Sequence, residues 1–465
     1  MERLFWMQFM TQLFLFFAMI PLFVSTSQGK PQPPKPDISA PVKSSPSKHE
    51  PSKPPNKMTW WKDARFGMFI DFGPGGITGK EMGSSGNGSK PLDTTADSAG
   101  FMKDSAYDNL YKQFNPTKFN AMSLVKIAKN AGMKYIVLVC KHHDGFSMWD
   151  SKVSDDTIAQ TPYKRDIVKQ LADACHAEGI RFGVCYPLQD THNPDYGVGD
   201  DSKYEQYMTD QITELLTHYG KVDIMWWDYF GKGDSLSYWH ADKFLALIHK
   251  LQPGIITNNR CCAFDQLGKY PQLAGDFDTV EKAIGKYQPD RPWESCIPLS
   301  DSQFSWDPNG KVMSFDEVIH SLVECAAGNG NLMLGVSPMP DGRIDPREVN
   351  VLNQVGDWLR KYGKALYGTR GGPFPGGDWG GAMYVDNIIY LHLFHFVRKI
   401  ILPPLNGKVL INHCISNAAY MATTLPDGRL EFDIPEESDL DTDTIIELTM
   451  DKPVTHVTGQ AEVQE

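Results

Sequence analysis

The chain has 465 residues, 41% of them hydrophobic, and a formal net charge of −12. This length exceeds that of an average single domain and suits a barrel with a smaller partner domain. An acidic chain without a basic block argues against nucleic acid or an anionic membrane as its main partner.

The N-terminal segment has the pattern of a signal peptide. Arg3 precedes an apolar stretch over 13–24 that is interrupted at Pro21, and small polar residues follow. The stretch is short for a membrane-spanning helix, so we predict a signal peptide over 1–27, with an uncleaved anchor as the alternative. The protein would then be secreted or periplasmic, without stable membrane association after cleavage. Residues 28–57 are rich in proline and are predicted to form an extended linker.

Strands and helices are predicted to alternate from residue 58 to residue 370. Apolar runs typical of buried strands cover 66–70, 135–140, 181–186, 222–227, 255–257 and 332–336. Segments with helical spacing cover 121–130, 164–178, 204–219, 239–251, 315–325 and 349–362. Such alternation predicts a parallel barrel or a doubly wound sheet. Because no GxGxxG or P-loop follows the first strand, we predict a (β/α)8-like TIM barrel.

The pattern changes near residue 370. Short apolar segments are separated by turn sequences such as Asp386-Asn387 and Pro426-Asp427-Gly428. Short strands divided by turn residues predict a small antiparallel β-sandwich over 371–465.

Polar side chains follow two of the predicted barrel strands. Asp228 ends the run 222–228, and the segment Lys141-His142-His143-Asp144-Gly145-Phe146 follows the strand over 135–140. The loops after barrel strands converge at one face, where active sites lie. Asp228 shares one face of its strand with Ile224 and Trp226, because side chains two apart point the same way. A catalytic role for Asp228 and a structural ion pair both remain open.

A carboxylate nucleophile in a retaining glycosidase needs a second carboxyl nearby. Candidates are the acids in 276–281 and Glu294, in a region that is predicted to be loop-like. Sequence spacing does not choose between them. Arg260 follows the strand over 255–257 and offers a planar set of donors for oxygen ligands.

The sequence predicts neither a metal nor another cofactor. His142 and His143 could suggest a metal, but no HxH or HExxH spacing supports zinc, and hydrogen bonding to substrate hydroxyls is the better interpretation. A structural histidine pair is the alternative. The eight cysteines are spread thinly and include no CxxC pair.

Several motifs resemble glycoside hydrolase family 29, the α-L-fucosidases. The resemblance covers about residues 59–450. The matching segments are 61–70 (WKDARFGMFI), 141–146 (KHHDGF), 226–228 (WWD), 330–334 (GNLML), 341–344 (DGRI) and 367–369 (YGT).

The resemblance implies a retaining exo-hydrolase that releases terminal α-L-fucose from a fucosylated glycan. The family's nucleophile falls on Asp228. Its general acid/base falls on Glu281, with Glu294 in reserve. The implied sugar-binding residues are His142, His143, Tyr186, Trp226, Arg260 and Glu81.

The chain departs from the family's usual pattern around the sugar pocket. Asp71 replaces a sugar-contacting histidine, the aromatic residue usual beside Glu81 is missing, and 190–192 lacks the usual tryptophan. Asp71 can accept hydrogen bonds from hydroxyls, but it adds negative charge, which would raise a neighbouring carboxyl pKa or select a different sugar.

Three alternatives therefore stay open beside the fucosidase. They are an exo-glycosidase of the same fold with a shifted sugar preference, a catalytically weak carbohydrate-binding relative, and a metal-dependent hydrolase. Assembly as a homo-oligomer is also left open.

Overall fold

The computed structural model describes residues 56–79, 107–196, 202–228, 240–262, 267–300, 303–416, 418–435 and 442–464. The predicted signal peptide, nearly all of the predicted linker and Glu81 lie outside these residues. Within them, no helix combines the length and apolarity needed to cross a membrane.

Eight parallel strands form one sheet in the order β5-β4-β3-β2-β1-β8-β7-β6. The strands are β1 Phe66–Ile70, β2 Tyr135–Val139, β3 Arg181–Pro187, β4 Ile224–Asp228, β5 Ile256–Thr257, β6 Asp278–Glu281, β7 Trp293–Pro298 and β8 Asn331–Gly335. The two outermost strands meet through one backbone bridge between Asn258 and Phe277. The prediction of a (β/α)8-like barrel is confirmed.

A short helix, α1 Thr59–Ala64, places Trp61 and Ala64 in the cluster inside the barrel. The helices that cover the outside of the sheet are α2 Ala121–Asn130, α3 Ile167–Glu178, α4 Ser202–His218, α5 Ala241–Leu251, α6 Phe315–Ala327 and α7 Pro346–Tyr362. Side chains fix several helix starts, as where Asp166 accepts a hydrogen bond from the Lys169 amide. α3 ends at Gly179, whose φ of 70° suits a residue without a Cβ atom.

Two strands were missing from the prediction. The region around 276–294 was predicted to be loop-like, and this was wrong, because it contains β6 and β7, which pair in parallel from Asp278↔Trp293 to Glu281↔Cys296. Both strands carry polar and charged residues and have no apolar run. Their pairing depends on the neighbouring strands, which a local sequence pattern does not reveal.

Alternation along the strands separates two packed layers. Phe69, Val137 and Trp226 belong to the cluster inside the barrel. Met68 and Trp227 belong to the larger cluster between the strands and the helices. Because side chains alternate, this pattern decides which residue at each strand end faces the barrel interior.

The Asn258 side chain extends the short strand β5. Its Oδ1 accepts a hydrogen bond from the Trp227 amide, and its Nδ2 donates to the Trp227 carbonyl, both at 2.9 Å. The buried side-chain amide thus replaces a strand partner beyond the last backbone pair of β4 and β5, Met225↔Thr257.

Antiparallel sheets follow the barrel, as predicted. Their strands are β9 Arg370–Gly371, β10 Gly380–Val385, β11 Ile388–Phe394, β12 Lys399–Ile401, β13 Val409–Cys414, β14 Met421–Thr424, β15 Leu430–Asp433, β16 Asp443–Met450 and β17 Glu462–Gln464. They form one sheet of five strands and one of four. The predicted boundary at 370–371 falls within β9 and stays a prediction.

The five-stranded sheet packs directly on the barrel helix α6. A Cβ atom at Gly381 in β10 would lie 2.3 Å from the Ala327 Cβ at the end of α6. Only glycine allows this close approach.

We predict that Asn258→Ala destabilises the barrel. It leaves the amide and the carbonyl of Trp227 buried without their partner, which should lower the free energy of unfolding by about 2 kcal/mol or more. Urea unfolding followed by tryptophan fluorescence measures this loss. Asn309→Ala, at an exposed loop position, is the control and should be near neutral. Equal stability of the two variants would contradict the role of Asn258.

Candidate active site

Asp228 lies at the carboxyl end of β4. One carboxylate oxygen is 3.2 Å from His143 Nε2, and the other is 3.3 Å from Arg260 Nη1. The side chain is 14% exposed, so it remains accessible from the barrel mouth. Its strand neighbours Ile224 and Trp226 lie below it in the barrel interior, as the alternation predicts.

Arg260 joins this carboxylate to a second one. Its Nη1 also lies 2.9 Å from Glu281 Oε1, at the end of β6. Its Nε donates to Thr279 Oγ1 at 2.8 Å, and its guanidinium lies 4.8 Å from the centre of the Trp226 ring. Arg260 is 2% exposed, so these contacts leave it one orientation.

The shared nitrogen limits how far apart the two acids are. Because both contact Arg260 Nη1, the nearest oxygens of Asp228 and Glu281 are at most about 6 Å apart. Retaining glycosidases place their carboxyl groups ~5–5.5 Å apart, whereas inverting enzymes leave ~6.5–9.5 Å for a water molecule. The geometry therefore suits a retaining pair.

The two carboxyl groups differ in protonation. Burial raises the pKa of Glu281 to about 7, with the Asp228 charge adding to this and Arg260 opposing it. Burial acts in the same direction on Asp228, but His143 and Arg260 outweigh it and lower the Asp228 pKa to about 2. Near neutral pH, Asp228 is ionised while a large share of Glu281 carries a proton.

The adjacent histidines lie beside Asp228. The ring centres of His142 and His143 are 4.9 Å apart. Burial, followed by the neighbouring His143, lowers the pKa of His142 to about 3, so this imidazole is neutral. Among the described residues, neither buried Nδ1 atom has a hydrogen-bond partner. Neither nitrogen is thus committed to a partner within the described part of the chain.

Three aromatic rings pack together in the barrel interior, Phe69 and Trp226 from strands and Phe304 from the loop after β7. Phe69 lies 5.5 Å from Trp226 and 5.6 Å from Phe304, between ring centres. These rings provide an apolar floor. Phe304 was not anticipated from the sequence, because it belongs to a loop without a recognisable motif.

Asp71 lies just above this floor and faces inward, two residues after Phe69. It is 3% exposed and accepts a hydrogen bond from Ser305 Oγ at 3.2 Å. After burial, the Asp228 charge and then, among other groups, the Asp71 charge raise the pKa of the Cys185 thiol. Asp71 thus adds a further acid to the group around Asp228.

The structure does not bring Tyr186 to this group. Tyr186 pairs with Trp227 in the outer layer, where its hydroxyl donates to Gln211 Oε1 at 2.8 Å and accepts from Lys141 Nζ at 3.1 Å. Cys185 pairs with Trp226 and holds the inward position instead. The sequence contains no signal for this choice, because the side-chain direction depends on the register between β3 and β4.

Glu294 also lies away from the barrel mouth. It is fully buried at the amino end of β7, where it accepts hydrogen bonds from the Tyr135 hydroxyl and from Trp226 Nε1, the latter at 3.2 Å. Burial raises its pKa to about 7. The predictions of Glu294 as a reserve acid/base and as a sugar contact are therefore wrong, because β7 begins at the opposite end of the barrel from Glu281.

Some supporting residues were missed in the sequence. Thr279 Oγ1 donates to Asn259 Oδ1 at 3.1 Å, so the residue that accepts from Arg260 is itself held. Thr279 could have been found once β6 was recognised, because it lies two residues before Glu281 on the same face. Within the described ranges, no group of three or more His, Cys, Asp or Glu residues could hold a metal ion.

The sequence is similar to known α-L-fucosidases. Residues 39–364 match the family model described as alpha-L-fucosidase. The plasma alpha-L-fucosidase of Homo sapiens is 28% identical over 332 residues, which cover 67% of this chain and 69% of the human protein. A putative alpha-L-fucosidase of Caenorhabditis elegans is 28% identical over 337 residues, covering 67% of each chain. The family match spans both Asp228 and Glu281.

The fold is also similar to solved structures of α-L-fucosidases. Alpha-L-fucosidase isoenzyme 1 from Paenibacillus thiaminolyticus has a TM-score of 0.73 and 29% identity, covering 85% of this chain and 99% of its own. A Bacteroides thetaiotaomicron alpha-L-fucosidase, described as a trapped covalent intermediate in complex with 2-fluoro-fucosyl fluoride, has a TM-score of 0.73 and 27% identity. It covers 84% of this chain and 95% of its own.

We predict that Asp228→Asn lowers the pKa of Glu281, because it removes a negative charge that raises this pKa. Titration of the labelled glutamate carboxyl by 13C NMR measures the change. Asp278→Asn, at the other end of β6, is the control and should leave the Glu281 pKa where it is. An unchanged Glu281 pKa in Asp228→Asn would show that the two carboxyls do not interact.

Proposed function

We propose that this chain, which belongs to the α-L-fucosidase family of glycoside hydrolases, releases terminal α-L-fucose from fucosylated glycans through Asp228 and Glu281. The observation that carries this assignment is the pair of carboxyls on one arginine nitrogen, one with a pKa of about 2 and the other of about 7. A retaining mechanism needs one ionised nucleophile and one protonated acid at the same pH.

In the first step, Asp228 attacks the anomeric carbon of the fucosyl unit. Glu281 gives its proton to the glycosidic oxygen, the bond between that oxygen and the anomeric carbon breaks, and the remainder of the glycan leaves as an alcohol. The fucosyl unit is then an ester of Asp228.

In the second step, the ionised Glu281 takes a proton from water while the water oxygen attacks the anomeric carbon. The ester bond breaks, fucose leaves with its original anomeric configuration, and both carboxyl groups return to their starting states. The charge of Asp228 is absent from the ester, so one cause of the raised Glu281 pKa is also absent. Its pKa is therefore lower in this state, and a larger share of Glu281 is the carboxylate that can accept the proton.

The sugar would lie between the histidines and the aromatic floor. The imidazoles of His142 and His143 would hydrogen-bond its hydroxyl groups, and Trp226 and Phe69 offer an apolar surface for the methyl group of fucose. The carboxylate of Asp71 can accept from a further hydroxyl. Glu81 stays a predicted sugar contact, because it lies outside the described residues.

A shifted sugar preference remains the second candidate, since Asp71 places an acid where the family usually has histidine. A catalytically weak binding protein is less consistent with an intact pair of carboxyls on Arg260. Secretion through a signal peptide over 1–27 and assembly as a homo-oligomer stay predictions.

We predict that Asp228→Ala lowers kcat by several orders of magnitude, because the nucleophile is lost. Azide added to this variant should restore part of the rate by attacking from the vacated side, and the initial wild-type product should retain its anomeric configuration by NMR. Glu178→Ala, at a helix end outside the barrel mouth, is the control. Near-normal activity of Asp228→Ala, or an inverted wild-type product, would refute the assignment.

We predict that kcat/KM falls as the pH rises through about 7, because Glu281 must carry a proton and its raised pKa keeps that proton only below this pH. Glu281→Ala should remove this basic limb. It should slow natural glycosides by about 10²–10⁴-fold, but an aryl glycoside with a good leaving group far less. A basic limb that persists in Glu281→Ala would assign it to another group.

We predict that Asp71→His raises turnover of an α-L-fucoside relative to competing galactosides, since it restores the residue usual in the family. The ratio of kcat/KM values for 4-nitrophenyl α-L-fucoside and the two galactosides measures this. Asp290→Asn, at an exposed position before β7, is the control. An unchanged ratio in Asp71→His would place Asp71 outside the sugar's reach.

A further inference from the structure

A buried ion pair lies behind the loop that carries the two histidines. Lys141 Nζ is 2.9 Å from Asp190 Oδ2, and the two side chains are 0% and 1% exposed. Lys141 follows β2 and Asp190 follows β3. The ammonium also lies 4.4 Å from the centre of the Tyr186 ring and 5.0 Å from that of Tyr207.

The hydrogen bonds of Asp190 fix it in place. Its Oδ1 accepts from the amides of His192 and Asn193 at 3.1 and 2.9 Å, and its Oδ2 accepts from the Tyr207 hydroxyl at 3.0 Å. Burial opposes its charge, but Lys141 and these donors lower the Asp190 pKa. The pair is therefore a charged group with a single geometry.

Thr191, the residue after Asp190, holds the backbone of the loop that follows β2. The amide and the hydroxyl of Thr191 both donate to the carbonyl of His143, at 2.9 and 3.0 Å. Asp190 and Thr191 thus hold two points of the loop after β2, the side chain of Lys141 and the backbone of His143. The His143 ring, on its other side, contacts Asp228 at 3.2 Å.

Stability alone does not explain a pair of this kind. Taking two charges out of water costs free energy, and an apolar pair of similar volume is often as stable or more stable. What a buried pair can add is the selection of one arrangement. Here that arrangement is the position of the loop beside the nucleophile.

We propose that Lys141 and Asp190 are positioning residues for the hydrolysis, which fix the loop after β2 so that His143 stays in contact with Asp228. The inference rests on the proposed role of Asp228, although its central measurement does not need substrate. Tyr186 supports this ion pair, since its hydroxyl accepts a hydrogen bond from Lys141.

Loss of the pair should weaken the contact between His143 and Asp228. The charged and titratable groups that act on Asp228 are His143, Arg260 and His142, which lower its pKa, with Glu281 and Cys185 also close by. With His143 displaced, the pKa of Asp228 should rise from about 2 toward its ordinary value. A misplacement of this order should lower kcat by about 10–100-fold.

The main test is the double variant Lys141→Met/Asp190→Asn. It leaves no unpaired buried charge, and the asparagine oxygen can still accept from the amides of residues 192 and 193, so it is designed to fold. Its readouts are the Asp228 pKa by 13C NMR without substrate, kcat and KM separately, and the thermal unfolding midpoint. The single variant Asp190→Asn is measured beside it.

Asp223→Asn is the matched control. Asp223 pairs with Arg181 at 2.7 Å at the opposite end of the barrel, and its side chain is 6% exposed. This variant should lower the unfolding midpoint without changing the Asp228 pKa or kcat.

A folded double variant with an unchanged Asp228 pKa and an unchanged kcat would overturn the inference. If it fails to fold, Thr191→Val decides, because removal of one donor to His143 should change the Asp228 pKa in the same direction by a smaller amount, and no change would overturn the inference. Failure of the proposed function is distinguishable, because Asp228→Ala would then keep its activity whatever the pKa measurements give.

Discussion

The contact of one arginine nitrogen with two carboxyl groups is the interaction on which this site depends. Two negative charges no more than about 6 Å apart would repel each other by at least ~3 kcal/mol at an effective dielectric constant of ~20. Arg260 reduces this cost, but burial still keeps Glu281 protonated to a higher pH than an ordinary glutamate. The arginine is held by Thr279 at its Nε and by the Trp226 ring at its face. Parts of β4, β5 and β6 are therefore arranged around one guanidinium group.

The sequence predicted the parts of this protein that depend on local patterns. Apolar runs located six of the eight barrel strands, and alternation correctly placed Trp226 below Asp228 inside the barrel. It did not predict β6 and β7, because polar and charged residues interrupt both strands and leave no apolar run. That omission had consequences for the site, since the direction of β7 decides that Glu294 lies at the barrel's closed end while Glu281 lies at its mouth.

The error over Tyr186 has a different cause. Motif resemblance assigned a strand-end tyrosine to the sugar pocket, whereas the side-chain direction is set by registration with the next strand. Cys185 pairs with inward-facing Trp226, so Tyr186 must face the helices. There it joins Lys141 and Asp190, which a linear sequence cannot show to be partners because they lie in two different loops. The acids at the strand ends were thus easier to locate from the sequence than the residues that support them.

Trp226 spans the barrel from its closed end to its mouth. Its indole nitrogen donates to Glu294, and its ring supports Arg260. Anyone redesigning the pocket for a bulkier sugar would choose this large side chain as the first to shorten. Replacing Trp226 by a smaller residue would remove a hydrogen-bond donor from Glu294 and open space between that acid and the incoming ligand. The enlarged cavity would then have a carboxylic acid at its base, with a pKa of about 7 while it stays buried. Redesign at Trp226 would therefore need a compensating change at Glu294.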